Sequence, residues 1–288
     1  MYALYAILTT DEKQKDCYLM GETLKLIIEE HKAFSKQIFK LAKSDLIKTY
    51  RGAAIGWAWA LVKPLITLFV FWFGFTVGLR HGKPINGYPY FLWLLAGFLP
   101  WFYMRDMIQG GAECIRKYKH LVTKIKFPIS IIPTFTSLSH LVVHIVLLVI
   151  SLVVFFAWGF PPDKYMLQIP FYMFLMFAFF EVWALFAGML SAMSKDFLNL
   201  VKSFVQALFW LSGVIYDVNK IQHPAVRTVL KFNPITVISS GYRKAFIYKE
   251  WFWEDKIELI GYATTFIIIF FLSIWAYKRL RKEIPDVL

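Results

Sequence analysis

Long apolar stretches separated by short polar segments constrain the fold of this chain more than any other feature. A helix that crosses about 30 Å of hydrocarbon needs about 20 consecutive, mostly apolar residues. Six stretches meet this test, so the sequence predicts an all-α integral membrane protein with six transmembrane helices. The predicted spans are Ile55–Leu79, Tyr88–Ile108, Ile129–Trp158, Ile169–Met193, Leu198–Tyr216 and Ile257–Tyr277.

The composition favours lipid as the main solvent. Hydrophobic residues make up 58% of the 288 positions and charged residues only 18%, whereas soluble domains have roughly 45–50% apolar and about 25% charged residues. An ordinary soluble enzyme and a disordered chain are both excluded on this ground. We predict two parts, an N-terminal cytoplasmic region (1–54) and a transmembrane domain (55–288). Met1–Leu8 has no basic leader, which argues against a secretory signal.

The chain carries a formal charge of +13. Such a charge is compatible with nucleic-acid binding, but in a membrane protein it is better explained by basic residues in cytoplasmic loops and beside anionic lipid. With both termini inside, 21 of the 32 Lys and Arg residues fall on the cytoplasmic side. We therefore predict an N-in, C-in topology and no nucleic-acid partner. The two cysteines, Cys17 and Cys114, suggest neither a disulfide framework nor a zinc site.

The segment before the first span is predicted to be an amphipathic helix from Glu22 to Tyr50 that lies at the membrane surface. Its apolar stripe comprises Leu24, Ile27, Ile28, Phe34, Ile38, Phe39, Leu41 and Leu46, and five lysines fall on another side. A helix packed on a soluble partner is the alternative.

The short basic segment Glu113–Phe127, between the second and third spans, allows two interpretations. It is either a solvated loop or a docking helix for a cytoplasmic partner. Apolar residues recur in it at helical spacing, which a loop would not need, and this favours docking. They are Ile115, Tyr118, Leu121, Val122 and Ile125.

The segment from Asp217 to Lys256 is predicted to hold two short external helices. Pro224 begins one helix, which ends before Pro234, and Ile235–Ile247 forms the other. Both are too short to span, so we predict a re-entrant hairpin at the outer surface.

No catalytic constellation is evident in the sequence. The chain shows no P-loop, so we expect no nucleotide hydrolysis by this chain alone. His140 and His144 have the spacing of a zinc pair, but Leu141 replaces the glutamate of a metalloprotease; we interpret them as buried polar groups that bond across helices. Glu181 and Lys63 are ionisable groups within spans and therefore functional candidates.

Several local patterns occur in an order that resembles one known family. They are Tyr50-Arg51-Gly52 leading to Pro64, Val122–Pro128 leading to Pro133, Lys195-Asp196, Gly213–Tyr216, and Asn233-Pro234 before Gly241-Tyr242-Arg243. Together they resemble the membrane subunit of type-2 ABC exporters of lipid-linked polysaccharides, the group that includes wall teichoic acid, O-antigen and capsule permeases.

The resemblance implies a half-transporter of the bacterial plasma membrane. Two copies would form a homodimer with two copies of a separate ATPase subunit, which would bind ATP and magnesium, so this chain would carry no cofactor and no metal. The substrate would be a polyprenyl-pyrophosphate-linked polymer that moves outward past membrane lipids. Wall teichoic acid is favoured, because the external segment carries a net positive charge; O-antigen or capsule, a small-amphiphile or drug exporter, and a membrane-embedded polyprenyl-sugar transferase remain as alternatives.

The resemblance also assigns residue roles. The ATPase-coupling helix would use Ile115, Tyr118, Leu121, Val122, Lys126, Phe127 and Pro128, and the second cytoplasmic contact would use Lys195 and Asp196. Arg51, Lys63 and Arg105 would bind the pyrophosphate headgroup, although Arg51 and Arg105 could equally anchor lipid headgroups. The external gate would comprise Tyr216, Asn233, Pro234, Tyr242 and Arg243.

Overall fold

The computed structural model describes residues 20–52, 54–78, 83–125 and 127–288. The described part of the chain is helical throughout, with no strand beyond a single bridge between Ile85 and Tyr88. Met1–Leu8, Cys17, Leu79 and Lys126 lie outside the described residues, and so do the expectations that rest on them.

Twelve helices, labelled α1 to α12, form the described structure. The first, α1, covers residues 20–33. The others are α2 (Ser35–Tyr50), α3 (Trp59–Phe73), α4 (Tyr90–Lys117), α5 (Lys119–Ile125), α6 (Ile131–Ala157), α7 (Ile169–Met193), α8 (Lys195–Leu211), α9 (Pro224–Lys231), α10 (Pro234–Arg243), α11 (Lys256–Leu280) and α12 (Ile284–Val287). Single π-helical turns extend α3 (Gly74–Gly78) and α10 (Lys244–Tyr248).

Four helical segments are long and apolar enough to cross a membrane, and the chain is a multi-pass membrane protein. These segments are Gly56–Gly78, Ile131–Ala157, Lys164–Met193 and Lys256–Leu280. They match the predicted first, third, fourth and sixth spans. The predicted second and fifth spans correspond to α4 and α8, which do not meet this criterion of length and apolar composition. The structure therefore supports four of the six predicted spans.

α4 and α8 fail the criterion for a membrane span for different reasons. α4 has 28 residues, but its apolar run is diluted by Trp and Tyr and is followed by Arg105 and Asp106. α8 has only 17 residues and ends at Leu211 rather than at Tyr216. At 1.5 Å per residue α8 is about 26 Å long, which is shorter than the hydrocarbon layer.

α4 forms the centre of the molecule. Its residues from Leu92 to Met104 are all buried, and it packs against α3, α6, α7, α8 and α10. The contact with α7 is especially close, because a Cβ at Gly111 would lie 2.7 Å from the Cβ of Ala184 and a Cβ at Gly188 would lie 3.2 Å from the carbonyl oxygen of Gly111. The two backbones can approach this closely only because these residues are small.

The predicted amphipathic helix is present, but a turn at Phe34 divides it into α1 and α2. Ile38, Ala42 and Asp45 form the buried line of α2, which packs on α6. Phe39, on the predicted apolar stripe, is 69% exposed. An exposed Phe39 is compatible with a stripe that faces lipid, so the location of this helix at the membrane surface stays a prediction.

The two short helices expected near the end of the chain are also present. Pro224 begins α9 and Pro234 begins α10, positions where a missing N–H has no cost. α10 is almost wholly buried, against α4 and α7. Lys249 ends its π-helical extension in the left-handed conformation, with φ of 58°.

Candidate functional site

A cleft of about 690 Å³ opens between α3, α4 and α6. Two of the three cations predicted to bind a headgroup, Lys63 and Arg105, line it, and the Lys63 side chain is exposed. Arg51 is exposed but is not among the lining residues. The structure therefore brings two of the three candidates together and leaves the third outside.

Aromatic rings and further polar groups complete the cleft. Trp59, Phe102 and Tyr103 supply flat apolar surface beside the cations. The Arg105 guanidinium donates to Asp106 Oδ1 through Nε at 3.0 Å and Nη2 at 2.8 Å, and it lies 5.9 Å from the centroid of the Phe102 ring. Asp106 thus holds one edge of the guanidinium and leaves its other nitrogen, Nη1, available for an oxyanion.

Sequence reasoning missed several lining residues that carry polar groups. Gln109, Glu113 and Lys117 follow Arg105 at intervals of four along α4 and share its face. This period of four polar residues in an otherwise apolar helix was a signal that could have located the cleft. His140 and His144 line it from α6.

His144 behaves as predicted for a buried polar group. Its Nε2 forms a hydrogen bond of 2.7 Å with the hydroxyl of Tyr242, so the imidazole links α6 to α10. The described residues contain no cluster of His, Cys, Asp or Glu suited to a metal ion.

The helix expected between the second and third spans exists as the end of α4 together with α5. Most of its apolar residues face the protein itself: Ile115 is fully buried, Tyr118 is 6% exposed and Val122 is 2% exposed. Leu121 is half-buried, and Phe127, next to the half-buried Pro128, packs edge-on against Phe34 at 5.0 Å. Their helical spacing therefore reflects burial within this chain.

A buried carboxylate fastens this region to α2. Asp45 is 1% exposed; its Oδ1 accepts from Lys117 Nζ at 2.6 Å and from the Tyr118 hydroxyl, and its Oδ2 accepts from Ser139 Oγ at 2.5 Å. Burial raises the pKa of Asp45, but these hydrogen bonds and the Lys117 charge outweigh burial, so the pKa lies below its usual value. One side chain thereby joins α2, α4 and α6.

The outward face of α5 is polar and accessible. Its exposed residues are Lys119, His120, Thr123, Lys124 and Ile125, and the Ile125 side chain is 64% exposed. At the same end of the bundle, Lys195 and Asp196 are exposed at the start of α8. Arg116, near the end of α4, donates to the carbonyls of Ser191 and Ala192 just before them, the latter at 2.9 Å.

Of the five residues predicted to form an external gate, Tyr216, Asn233 and Arg243 meet just after α8, whereas Tyr242 bonds to His144 of α6. Arg243 is 2% exposed and donates to the carbonyl oxygens of Gly213, Val214 and Tyr216, with 2.6 Å to Gly213 and 3.2 Å to Tyr216. It satisfies buried carbonyls of the loop that follows α8. Asn233 accepts from the Ile235 N–H at the start of α10 and donates to Ser212 Oγ at 2.8 Å. Pro234 follows as the first residue of α10.

Most cations of the segment predicted to be external, Asp217–Lys256, are engaged by the protein itself. Lys231 pairs with Asp255, and Lys244 pairs with Glu258 at 2.6 Å, with side-chain exposures of 3% and 4% for the second pair. Lys249 pairs with Asp163 at 2.7 Å. Together with Arg243, four of the seven basic residues counted between Asp217 and Lys256 already have protein partners.

Comparison with known proteins gives a consistent picture. The sequence model described as ABC-2 type transporter matches residues 36–247. The chain is 23% identical over 261 residues to the O-antigen export system permease protein RfbA of Myxococcus xanthus, covering 90% of this chain and 98% of that protein. It is 18% and 19% identical over 249 residues to two proteins of the same name from Klebsiella pneumoniae, covering 86% of this chain and 93% of each.

Proposed function

The chain belongs to the ABC-2 type transporter family, and from that premise we propose that it is the membrane subunit of an exporter for a lipid-linked surface polysaccharide. The family implies a transporter subunit that works with an ATPase partner. In this proposal the partner binds ATP and magnesium, and this chain provides the path. The observation that carries the proposal is the cleft in which Lys63 and Arg105 lie beside Trp59, Phe102 and Tyr103.

The cleft suits an amphiphile with a phosphorylated headgroup. Arg105, oriented by Asp106, offers a guanidinium nitrogen to a phosphate oxygen, and Lys63 adds a second positive charge. The aromatic rings present flat faces to sugar or prenyl groups. We propose that a polyprenyl pyrophosphate headgroup enters here, and that Arg51, outside the cleft, anchors lipid headgroups.

An O-antigen-type polysaccharide is the favoured substrate. The relatives are named as O-antigen export permeases, which matches the alternative left open by the sequence and gives wall teichoic acid no support over it. The argument for a polyanion rested on the external positive charge. Lys244 and Lys249 pair with Glu258 and Asp163, carboxylates outside that segment, so part of this charge is compensated before any substrate arrives.

We propose that a homodimer completes the path, and the residues exposed on α8 indicate where the two copies meet. Leu198, Val201, Val205 and Phe209 face the protein, whereas Asn199, Ser203 and Gln206 are exposed on the opposite side. Polar side chains are costly against lipid and are expected to face protein or water. We propose that the exposed faces of α3 and α8 meet a second copy and, with it, enclose the conduit.

Coupling to the ATPase is proposed to use the outward face of α5 and the Lys195-Asp196 turn. This revises the expected contact residues. Ile115, Tyr118 and Val122 are buried in this chain, so they hold α5 in place, and Lys119, Thr123, Lys124 and Ile125 are left to touch the partner. Motion of α5 would reach α2 through Asp45 and the cleft through Lys117.

Substrate-stimulated ATP turnover tests the headgroup site. The complex is reconstituted in proteoliposomes with a polyprenyl-pyrophosphate oligosaccharide, and wild type is compared with Lys63→Gln and Arg105→Gln. Each variant should need about tenfold more substrate for half-maximal stimulation, because one charged hydrogen bond is lost. Arg51→Gln, outside the cleft, is the matched control. Unchanged stimulation in both cleft variants would exclude this site.

A further inference from the structure

The cleft between α3, α4 and α6 extends past its two cations toward the side predicted to be cytoplasmic. In the predicted topology α4 runs inward, so Gln109 lies about one turn closer to the cytoplasm than Arg105. α3 runs outward, so Trp59 lies about one turn closer to the cytoplasm than Lys63. Both Gln109 and Trp59 line the cleft.

A ring contact sets the register of α3 against α4. The centroids of the Phe71 and Phe98 rings lie 5.0 Å apart, and the two helices run in opposite directions. Twelve residues back from Phe71 along α3 is Trp59, and twelve residues forward from Phe98 along α4 is Gly110. Trp59 is therefore at the level of Gln109 and Gly110.

His140 reaches the same level from α6. A Cβ at Gly110 would lie 3.5 Å from His140 Nε2, so the imidazole lies against α4 at a residue that has no side chain. His140 is half-buried and lines the cleft. One indole, one carboxamide and one imidazole thus share one level of the cleft. We call Trp59, Gln109 and His140 the inner pocket.

The two polar groups of the inner pocket are available to a ligand. Neither Gln109 nor His140 forms a hydrogen bond or an ion pair with any residue that the structure describes. By contrast Glu113, one turn further along α4, already pairs with Lys202 at 2.8 Å. Gln109 and His140 are both half-buried at the wall of an open cleft, so a bound molecule can reach them.

An aromatic ring flanked by groups that both donate and accept suits a sugar. A carboxamide and a neutral imidazole each combine donor with acceptor, as a sugar hydroxyl does, and the C–H face of a pyranose can cover an indole. A prenyl tail would need no polar partner, and a phosphate is bound best by cations. In a polyprenyl-pyrophosphate-linked polymer the first sugar follows the pyrophosphate on the side away from the tail. The inner pocket lies on that side of Lys63 and Arg105.

We propose that the inner pocket binds the first sugar of the lipid-linked polymer and selects substrates by it. The inference rests on the proposed function, because the pyrophosphate must lie at Lys63 and Arg105 to bring this sugar to the pocket. Trp59 stacks on the sugar ring, and Gln109 and His140 form hydrogen bonds with its hydroxyls. A site built to bond a hydroxyl discriminates strongly against a ligand that lacks it.

Equilibrium binding of two synthetic lipids tests the inner pocket. The complex with its ATPase is placed in nanodiscs and titrated with a polyprenyl pyrophosphate and with the same lipid carrying one hexose. Wild type should bind the hexose-bearing lipid more tightly. Gln109→Met and His140→Phe roughly keep side-chain size but remove hydrogen bonds, so each should raise the Kd of the hexose-bearing lipid about fivefold. The Kd of the bare lipid should stay unchanged, which also shows that the variant is folded.

The chain offers matched controls for both substitutions. Gln222 and His223 are neighbouring exposed residues outside the cleft, and Gln222→Met and His223→Phe should change neither Kd. His140→Asn, which restores a donor and an acceptor, should recover part of the affinity for the hexose-bearing lipid.

Three results would overturn the sugar site. They are equal Kd values of wild type for the two lipids, a preference for the hexose that survives in the double variant Gln109→Met/His140→Phe, and an equal loss of both lipids in the two single variants, which would assign these residues a structural role.

Lys63→Gln and Arg105→Gln separate this inference from the proposed function. If they weaken binding of the bare lipid while the inner-pocket variants keep the preference for the hexose, only the sugar site is wrong. If they leave the Kd of the bare lipid unchanged, the headgroup site is wrong and the inner pocket falls with it.

Discussion

The guanidinium carbon of Arg243 lies 3.7 Å from the centroid of the Trp93 ring, while the nitrogens of the same group donate to carbonyls of the loop that follows α8. Trp93 in turn donates through Nε1 to the Tyr248 hydroxyl at 2.8 Å, and that hydroxyl donates to Asp217 at 2.9 Å. The stack is possible because Gly97, one turn along α4 from Trp93, has no side chain. One arginine thus joins α4, α10 and the loop that follows α8.

Gly97→Ala should therefore release Arg243 from its stack. The new Cβ would lie 2.2 Å from Arg243 Nη2, and overpacking of this kind costs roughly 1–3 kcal/mol. We expect a lower apparent Tm in detergent by scanning fluorimetry. Gly74→Ala is the matched control, because a Cβ there meets nothing within 4 Å. Equal Tm values for the two variants would show that Arg243 is not held in this position.

Asp45→Asn should loosen α2 from α4 and α6. The change removes a buried charged acceptor from Tyr118 and Ser139 at a cost of about 1–3 kcal/mol, and Lys117, 46% exposed, can turn to water. The apparent Tm should fall, whereas Glu29→Gln, from the exposed Lys25–Glu29 pair, should leave it unchanged. A Tm equal to that of wild type would rule out a stabilising role for Asp45.

The contribution of Asp45 should also depend on pH. Its folded-state pKa is depressed, so its stabilisation is present above the unfolded-state value of about 3.9 and is lost as pH falls through the folded-state pKa. The Tm difference between wild type and Asp45→Asn should be constant near neutral pH and shrink at pH values below about 4. A difference that instead grew on acidification would contradict the sign of the shift.

Lys244→Met should be more damaging than the loss of a surface pair. Lys244 and Glu258 are both nearly inaccessible, and removal of one partner of a buried pair costs about 3–5 kcal/mol because the other charge remains unpaired. Lys249→Met, which breaks the more exposed pair with Asp163, should cost less than about 1 kcal/mol. The double variant Lys244→Met/Glu258→Leu should recover part of the loss, and chemical unfolding of the three proteins measures the ranking.

Ile125→Asp should weaken assembly with the ATPase without harming the fold. Ile125 is 64% exposed at the last residue of α5, whereas Val122, about one turn earlier, is 2% exposed. Co-purification with the ATPase should drop for Ile125→Asp at unchanged Tm, and Val122→Asp should instead lower the Tm. Full co-purification of a folded Ile125→Asp protein would move the contact away from this face.

Cysteines placed on α8 should cross-link between copies. In a background without Cys17 and Cys114, Ser203→Cys should give a disulfide-linked dimer in membranes under mild oxidation. Val153→Cys, on the exposed face of α6 (61% exposed), is the control and should remain monomeric. Cross-linking at Val153 in place of Ser203 would assign the dimer interface to α6.

The sequence predicted the positions of the helices better than it predicted what each helix face contacts. The apolar runs of α3, α6, α7 and α11 were long enough to be recognised as spans. Pro224 located the start of α9, and α10 begins at Pro234, one residue before the predicted Ile235. The helical spacing of Ile115, Tyr118 and Val122 showed that one face is buried. It did not show whether that face contacts a partner or this chain, because periodicity carries no information about what covers a face.

The polar pairings were beyond sequence reasoning for a different reason. Asp45 and Lys117 are 72 residues apart, and Glu181 and Thr134 are 47 apart, so nothing local links them. The cleft was found in part, through Lys63 and Arg105, because a charge within or beside an apolar run stands out. The stripe of Gln109, Glu113 and Lys117 was hidden because the second span was predicted to end at Ile108 and Glu113–Phe127 was interpreted as a separate docking helix, whereas α4 continues unbroken to Lys117.

The close approach of α4 and α7 at Gly111, Ala184 and Gly188 limits how a transport cycle can deform the protein. Helices whose backbones touch cannot slide past one another without collision, so this pair is expected to move as a single rigid body. α3 is the least enclosed of the apolar segments and α8 is anchored along one face only. A transport path that opens alternately to the inside and the outside would then require α3 and α8 to tilt relative to the rigid α4–α7 pair.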